Sequence, residues 1–582
     1  MLFSKSKSPR SIRNTISRLI GLIESKPITE RIILRTLFFV TIGGILMIGL
    51  IINDTFLATT PVEGGNLVEG IVGIPRFVNP ALAVTKADQD MTMLIYSGIM
   101  KINPDGNLVP DIAETVTISE DGKTYNIIIK PEIFFHDGTP LTSKDIAFTI
   151  GLVQNPDLKS PLRGNWSGVT TEIINDHELN VMLEEAYAPF IENFILGILP
   201  RHIWGELPIE QIPFSQRNTN PIGTGPFFIK NTVRGDTGLI TNYTLNRFTR
   251  NQPIPKLASI EVKFYQNEDS LVTAFNKKEI LSTAYLPTNT LVEIMENPKY
   301  STIQIPLPRV FAIFFNQNRS PAFRDISVRK ALAVAINRDN IIDFAFSGFG
   351  IPTTNPIPPT QNTLESQRLN EGGSVNTDNK EDAVKLLTDA GWTKNDNELW
   401  EKRINKESVI LSVIIKTAND PVLDKTTQAI ADLWREIGVD VQIEQFEQTD
   451  LLQSVIRPRD FNALLFGIDM SRVVDLYPFW HSSQREDPGL NIANYANIEV
   501  DSFLQKARTT QNIEERIELT GKAVSIIDDD IPAIFLFVPT LTYVVDSKVT
   551  PTPITKISKP SERFMNITDW NMNTDKLWNF FR

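Results

Sequence analysis

A mixed α/β fold of several domains, preceded by one membrane-spanning helix, is what this 582-residue chain predicts, and three observations carry that expectation. Strand-like alternation and helix-like periodicity interleave along the whole length. At roughly 100 to 200 residues per domain, the length suits three or four structural units. Near the start, Thr36 to Ile52 (TLFFVTIGGILMIGLII) runs seventeen residues without a charge. The composition, with 41% hydrophobic, 22% charged and 9% aromatic residues, is ordinary globular usage, so disordered, collagen and coiled-coil classes drop out. The absence of cysteine removes disulfides, thiolate metal sites, cysteine nucleophiles and a lipid on an N-terminal cysteine.

Residues 1–35 form a basic tail, with eight Lys/Arg against Glu24 and Glu30. That excess of six leaves the rest of the chain at −18 against a formal total of −12, which argues against a nucleic-acid partner. The apolar run at 36–52 nearly spans a hydrocarbon core of roughly 30 Å. About 35 residues precede it, and cleavage after Ala58 would put bulky Phe56 at the third position before the cut, so an uncleaved anchor is expected rather than a signal peptide. The positive-inside bias places the tail in the cytoplasm and the bulk of the chain outside. Residues 53–66 read as a tether, and folding is expected from Leu67.

Thr115 to Ile118 and Tyr125 to Ile129 flank Asp121-Gly122, a hairpin signal, because Asp-Gly supplies the positive φ of a tight turn. Ser143 is a candidate cap for a helix carrying Ile146, Ile150 and Val153, and Asp325 for one carrying Val328, Leu332 and Ala335. A helix ends at Gly391. Thr353 to Asn379, rich in Asn, Pro and Gly, reads as a long irregular connection. Pro421 opens a helix with Ile430, Leu433, Trp434 and Ile437 on one face, and Gly438 ends it before the alternation of Val439, Val441 and Ile443.

The motifs of catalysis are absent. There is no HExxH, GxSxG or GxGxxG, and Gly122-Lys123-Thr124 lacks the first glycine of a phosphate loop. His136, His177, His202 and His481 are scattered without ligand spacing, so no metal or cofactor is expected. Not an enzyme is the resulting expectation.

Six segments occur in an order that resembles the extracellular solute-binding proteins of family 5, the peptide- and nickel-binding receptors of ABC importers. They are Asn103-Pro104-Asp105-Gly106-Asn107-Leu108-Val109-Pro110-Asp111-Ile112-Ala113-Glu114, Ser119 to Tyr125, Phe134-Phe135-His136-Asp137-Gly138-Thr139-Pro140-Leu141-Thr142-Ser143-Lys144-Asp145, Asn220-Pro221-Ile222-Gly223-Thr224-Gly225-Pro226-Phe227, Phe323 to Leu332, and Lys380 to Trp392. Each segment alone is a hairpin, a turn or a capped helix. Their shared order carries the resemblance, with weaker likeness at Asn79-Pro80 and Ile531 to Leu536.

The resemblance implies a periplasmic-binding-protein-like type II fold, with two lobes around a ligand cleft and three domains. The first lobe would comprise 67–98, 206–305 and 526–582, with domain II at 99–205 and the second lobe at 306–525. Such receptors close on their ligand by population shift and make no bond. The resemblance further implies a cleft lined by Ala83, Val84 and Thr85, by Asn316, and by the stretch from Gly467 through Ile468, Asp469 and Arg472 to Asp475. Relatives that bind peptides carry an aromatic and acidic gwgaDypDP-like run whose aspartate holds the ligand ammonium. Neither Asp469 nor Asp475 aligns cleanly with it, although either has the chemistry for a charge-assisted bond. Arg472 has the planar fork to pair a ligand carboxylate, and Trp480 either stacks on ligand or fills core. The expected partners are a peptide or small-molecule ligand, an ABC permease and the membrane. A module of the same fold that recognises another small solute or an extended protein segment, and an extracellular hydrolase, are the competing classes.

Overall fold

The computed structural model describes residues 27–359, 380–404, 406–470 and 472–578. The first 26 residues of the expected basic tail, most of the irregular connection before Asn379, and Ser471 lie outside the described residues. Two compact units result, residues 1–62 with 573–582, and residues 63–572.

In the smaller unit, a helix of 29 residues, Ile28–Phe56, contains the uncharged run. The side chains described without interruption from Thr36 to Gly49 are all exposed. Taken over the described residues alone, no helix is long and apolar enough to cross a membrane. The expected tether is in part a strand: Leu57–Val62 pairs antiparallel with Asn573–Trp578. The β-branched Thr59, Thr60 and Val62 favour extended backbone there.

The larger unit is built on a mixed sheet whose long element is Ala533–Asp546, fourteen residues and almost entirely buried. Its first half pairs with Arg309–Phe315 and its second half with Tyr300–Pro306. Gly350–Pro352 pairs beside its middle, where Pro539 stands opposite Gly350 and accepts from the Leu307 N–H at 2.9 Å. Beyond the first half lie Ala463–Asp469, Ser412–Ala418 and Asp440–Phe446, and beyond the second lie Ser282–Thr283, Asn66–Val72, Ser259–Tyr265, Ile240–Arg247 and Phe227–Arg234. A separate four-stranded antiparallel sheet contains the predicted hairpin, Ala113–Ile118 against Thr124–Ile129, with Gly122 at φ 69° in its turn.

Period-two geometry explains the apolar runs VFAIFF, ALLF and AIFLFV, because the sheet there is covered on both faces. Ile313, Phe315, Ala463, Leu465, Ile534 and Leu536 enter one core cluster with Trp434 and Leu332. Their alternates Val310, Phe314, Leu464, Ile468 and Phe535 enter another with Trp480. A further cluster gathers Leu67, Ile71, Tyr125, Phe190, Tyr243, Val544 and Trp570.

The helices follow their local signals. Asp325 accepts from the Ser327 N–H at 3.0 Å and caps Ile326–Val334. Asp420 caps Pro421–Glu436, which joins parallel strands Ser412–Ala418 and Asp440–Phe446. Gly438 ends that helix at φ 93°, and a Cβ there would lie 2.8 Å from the Glu398 carbonyl. One cap is shifted from expectation: Thr142, not Ser143, precedes Ser143–Gln154, because the Thr142 N–H and hydroxyl both donate to Asp145 while the Ser143 hydroxyl donates to the Asn175 carbonyl.

Next to the last-named cluster, which includes Tyr285 and Tyr543, lies a buried charge network. Arg563 donates to Asp90 at 2.8 and 2.7 Å and to Glu69 at 2.9 Å, all three side chains being at most 1% exposed. Tyr285 donates to Asp90, and Ser282 and Tyr543 donate to Glu69. Burial pushes the Glu69 carboxyl up, against the pull of Arg563 and the donated hydroxyls. Removing one partner of such a network leaves an uncompensated buried charge. Arg563→Met is therefore expected to lower stability by about 3–5 kcal/mol in urea denaturation; a loss below about 1 kcal/mol would show that the network is replaceable by packing.

Candidate functional site

Six stretches of the chain, falling into four groups, line a cavity of about 540 Å³. The first is the turn and helix at Asn79 to Tyr96. Buried Asn79 folds the turn, accepting from the Ala81 N–H with its side chain and from the Leu82 and Ala83 N–H groups with its carbonyl. Thr85 then caps helix Lys86–Ile95, while Asp88 accepts from the Thr85 hydroxyl and from the Arg76 and Phe77 N–H groups, each at 2.7 Å. This places Ala83, Gln89, Thr92, Met93 and Tyr96 in the wall.

The second group brings Trp166 and Glu192. Trp166 packs edge-on against Phe190 at 5.3 Å, fixing the short helix Ala188–Ile195 on which Glu192 stands. The Glu192 carboxylate accepts from the backbone N–H groups of Arg472 and Val473. Burial pushes it up to about 7, although these bonds and the Arg472 charge pull the other way.

The third group is a strand pair. Arg309 opens Arg309–Phe315, Asp469 closes Ala463–Asp469, and the antiparallel register sets them opposite each other. Arg309 Nε and Nη2 donate to the two Asp469 oxygens at 2.6 and 2.8 Å, a bidentate pair at the cavity. The fourth group, Ser558 to Glu562, closes the wall. There Glu562 accepts from Arg472 Nη2 at 2.5 Å and from the Ser558 N–H at 2.6 Å.

Of the ten residues expected at the ligand, Ala83 and Asp469 line this cavity. Val84 is exposed, and Thr85 is the helix cap. Asn316 is buried, donating to the Arg459 carbonyl and accepting from the Asn318 N–H. Gly467 lies against Phe311, whose ring a Cβ would meet at 2.9 Å, and Ile468 is in a core cluster. Arg472 and Asp475 lie on the loop after Asp469, both engaged by protein. Arg472 holds Glu562; Asp475 accepts from the Tyr187 hydroxyl at 3.2 Å and faces Arg508 at 3.4 Å, and burial raises its carboxyl. Trp480 is fully buried, stacked on Phe314 and edge-on to Phe535.

Sequence reasoning missed Gln89, Thr92, Glu192, Arg309, Lys559 and Glu562. Two had a visible signal, a lone carboxylate inside APFIENFILGI and a lone cation ahead of VFAIFF. Among the described residues no group of three or more His, Cys, Asp or Glu side chains is placed to hold a metal ion.

Because the folded chain keeps a proton on Glu192 that the unfolded chain has already released, this group's contribution is fully present below about pH 4.5 and is lost as pH rises through about 7. Stability is expected to fall across that window by on the order of 1–3 kcal/mol from this group. In Glu192→Gln that part of the decline vanishes. Urea midpoints of both proteins at pH 5 and 7 test it, and parallel declines in the two would assign the effect elsewhere.

The model of the bacterial extracellular solute-binding proteins, family 5 middle region, matches residues 107–487. The oligopeptide-binding protein AppA of Bacillus subtilis (strain 168) is 26% identical over 493 residues, covering 83% of this chain and 88% of its own. Solved structures that share the fold include two with bound ligands. AppA from Bacillus subtilis in complex with a nonapeptide has a TM-score of 0.66 at 23% identity, over 88% of this chain and 100% of its own. NikZ from Campylobacter jejuni in complex with Ni(L-His) has a TM-score of 0.66 at 22% identity, over 87% and 99%. The chain belongs to the bacterial extracellular solute-binding proteins of family 5, the solute-binding proteins of ABC importers, and its role is to bind rather than to catalyse.

Proposed function

We infer that the chain is a membrane-anchored receptor that captures oligopeptides in the cavity between two lobes and delivers them to an ABC permease. The observation that carries this reading is the cavity itself: about 540 Å³, with apolar Met93, Leu162, Trp166 and Met470 beside the polar Gln89, Thr92, Asn165 and Asn193. That size and mixture suit a short peptide, whose main chain needs polar partners and whose side chains need apolar room. The likeness to an oligopeptide-binding protein over 83% of the chain supports it.

Residues 67–98, 206–305 and 526–582 form the first lobe in this reading, with domain II at 99–205, and 306–525 the second. The core clusters support this division in the main, since most buried side chains from Val310 to Val524 gather apart from those at Leu67 to Ile294; Phe349 packs with the latter, and Ile527 and Ala533 to Val538, within the last first-lobe stretch, pack with the second lobe. The anchor is helix Ile28–Phe56, about 43 Å long at 1.5 Å per residue, with Leu37, Phe38, Phe39, Ile45, Leu46 and Ile48 exposed. Exposed apolar side chains around a helix, behind a basic tail, suit lipid rather than water.

Two measurements test the reading. In native mass spectrometry of the full chain with a mixed pool of short peptides, a discrete bound mass released intact on denaturation is expected; no bound peptide, or cleaved peptide, would end the proposal. After alkaline carbonate washing of membranes from expressing cells, the chain is expected in the pellet. Recovery in the supernatant would remove the anchor and leave the receptor.

A further inference from the structure

Three carboxylates line the cavity, and the fold has already engaged each of them. Both Asp469 oxygens are taken by Arg309 and both Glu192 oxygens by backbone N–H groups, while one Glu562 oxygen accepts from both Arg472 and the Ser558 N–H, so that the charge of Glu562 is balanced by Arg472. An incoming ammonium loses its hydration and needs a carboxylate to offset that cost. Here it would have to compete with a bidentate guanidinium for Asp469, with the loop it holds for Glu192, or with Arg472 for the charge of Glu562. Burial also weakens the negative charge of Glu192 near neutrality.

The groups left open have the opposite character. Lys559 lines the cavity and has no ion-pair partner among the described residues. The Thr92 hydroxyl is buried in the same wall without a hydrogen-bond partner among them. An unpaired ammonium at the edge matches a ligand carboxylate. Apolar Met93, Leu162 and Trp166 leave room for an uncharged end.

We propose that this cavity selects peptides whose amino end carries no free ammonium, acylated or cyclised, and holds their anionic group at Lys559. The inference rests on the peptide reading and specifies the ligand class of the same site. It predicts a receptor that discriminates on terminal chemistry while remaining tolerant of side chains.

Isothermal titration of the full chain in detergent tests it with three probes: trialanine, N-acetyl-trialanine and N-acetyl-trialanine amide. N-acetyl-trialanine is expected to bind at least ten-fold tighter than trialanine and at least ten-fold tighter than its amide. Lys559→Ala is expected to erase the difference between acid and amide, and Lys559→Arg to keep it. Trialanine binding as tightly as its acetylated form would overturn the inference and leave the peptide reading standing. An unchanged ratio of acid to amide in Lys559→Ala would overturn the role of that residue and the proposal with it. If none of the three binds at millimolar concentration, the inference falls together with the peptide reading.

Discussion

A guanidinium with no access to water must be compensated, and the compensation of Arg563 organises the wall of the cavity around it. Glu69 comes from strand Asn66–Val72, Asp90 from the helix that carries Gln89 and Thr92 into the wall, and the two tyrosines from the segments at 285 and 543. Two carboxylates against one cation leave a formal excess of negative charge, which three hydroxyl donors help to stabilise. The residue before Arg563 is Glu562, which reaches the loop after Asp469 through Arg472. One short helical turn, Pro560–Phe564, thus fixes the helix of one wall and holds the loop of another.

The loop from Met470 to Asp475 is held by three such contacts with parts of the chain remote in sequence: Glu192 on its N–H groups, Glu562 on Arg472, and Tyr187 on Asp475. None is a generic surface ion pair of the kind that contributes little. Arg472 and Glu562 are 10% and 5% exposed, so their separation would uncover two charges poorly placed to regain water.

Local structure was legible in the sequence because its causes are local. The Asp-Gly turn at 121–122, the cap at Asp325, the helix start at Pro421 and the stop at Gly438 each act within a few residues, and the order of six such segments sufficed to place the chain in its family. The cavity was less legible because its chemistry depends on register. That Asp469 is spent on Arg309 follows from an antiparallel pairing across 160 positions, which no local pattern encodes. The fate of Arg472 likewise depends on Glu562, ninety positions away. The strand at Leu57–Val62 was hidden for the same reason, its partner lying at the far end of the chain.

Strand Ala533–Asp546 passes without a break from the clusters around Ile534 and Phe535 to the cluster around Tyr543 and Val544. Where it changes partner, the crossing chains carry Pro306 and Pro308 on one side and Pro539 on the other. A proline has no amide hydrogen, so this narrow stretch contributes fewer rungs to the ladder than the strand on either side of it. The strand backbone itself, with Gly350–Pro352 beside it, is therefore the covalent tie between the two halves of the sheet at this point, and a load applied to one half is carried to the other along it.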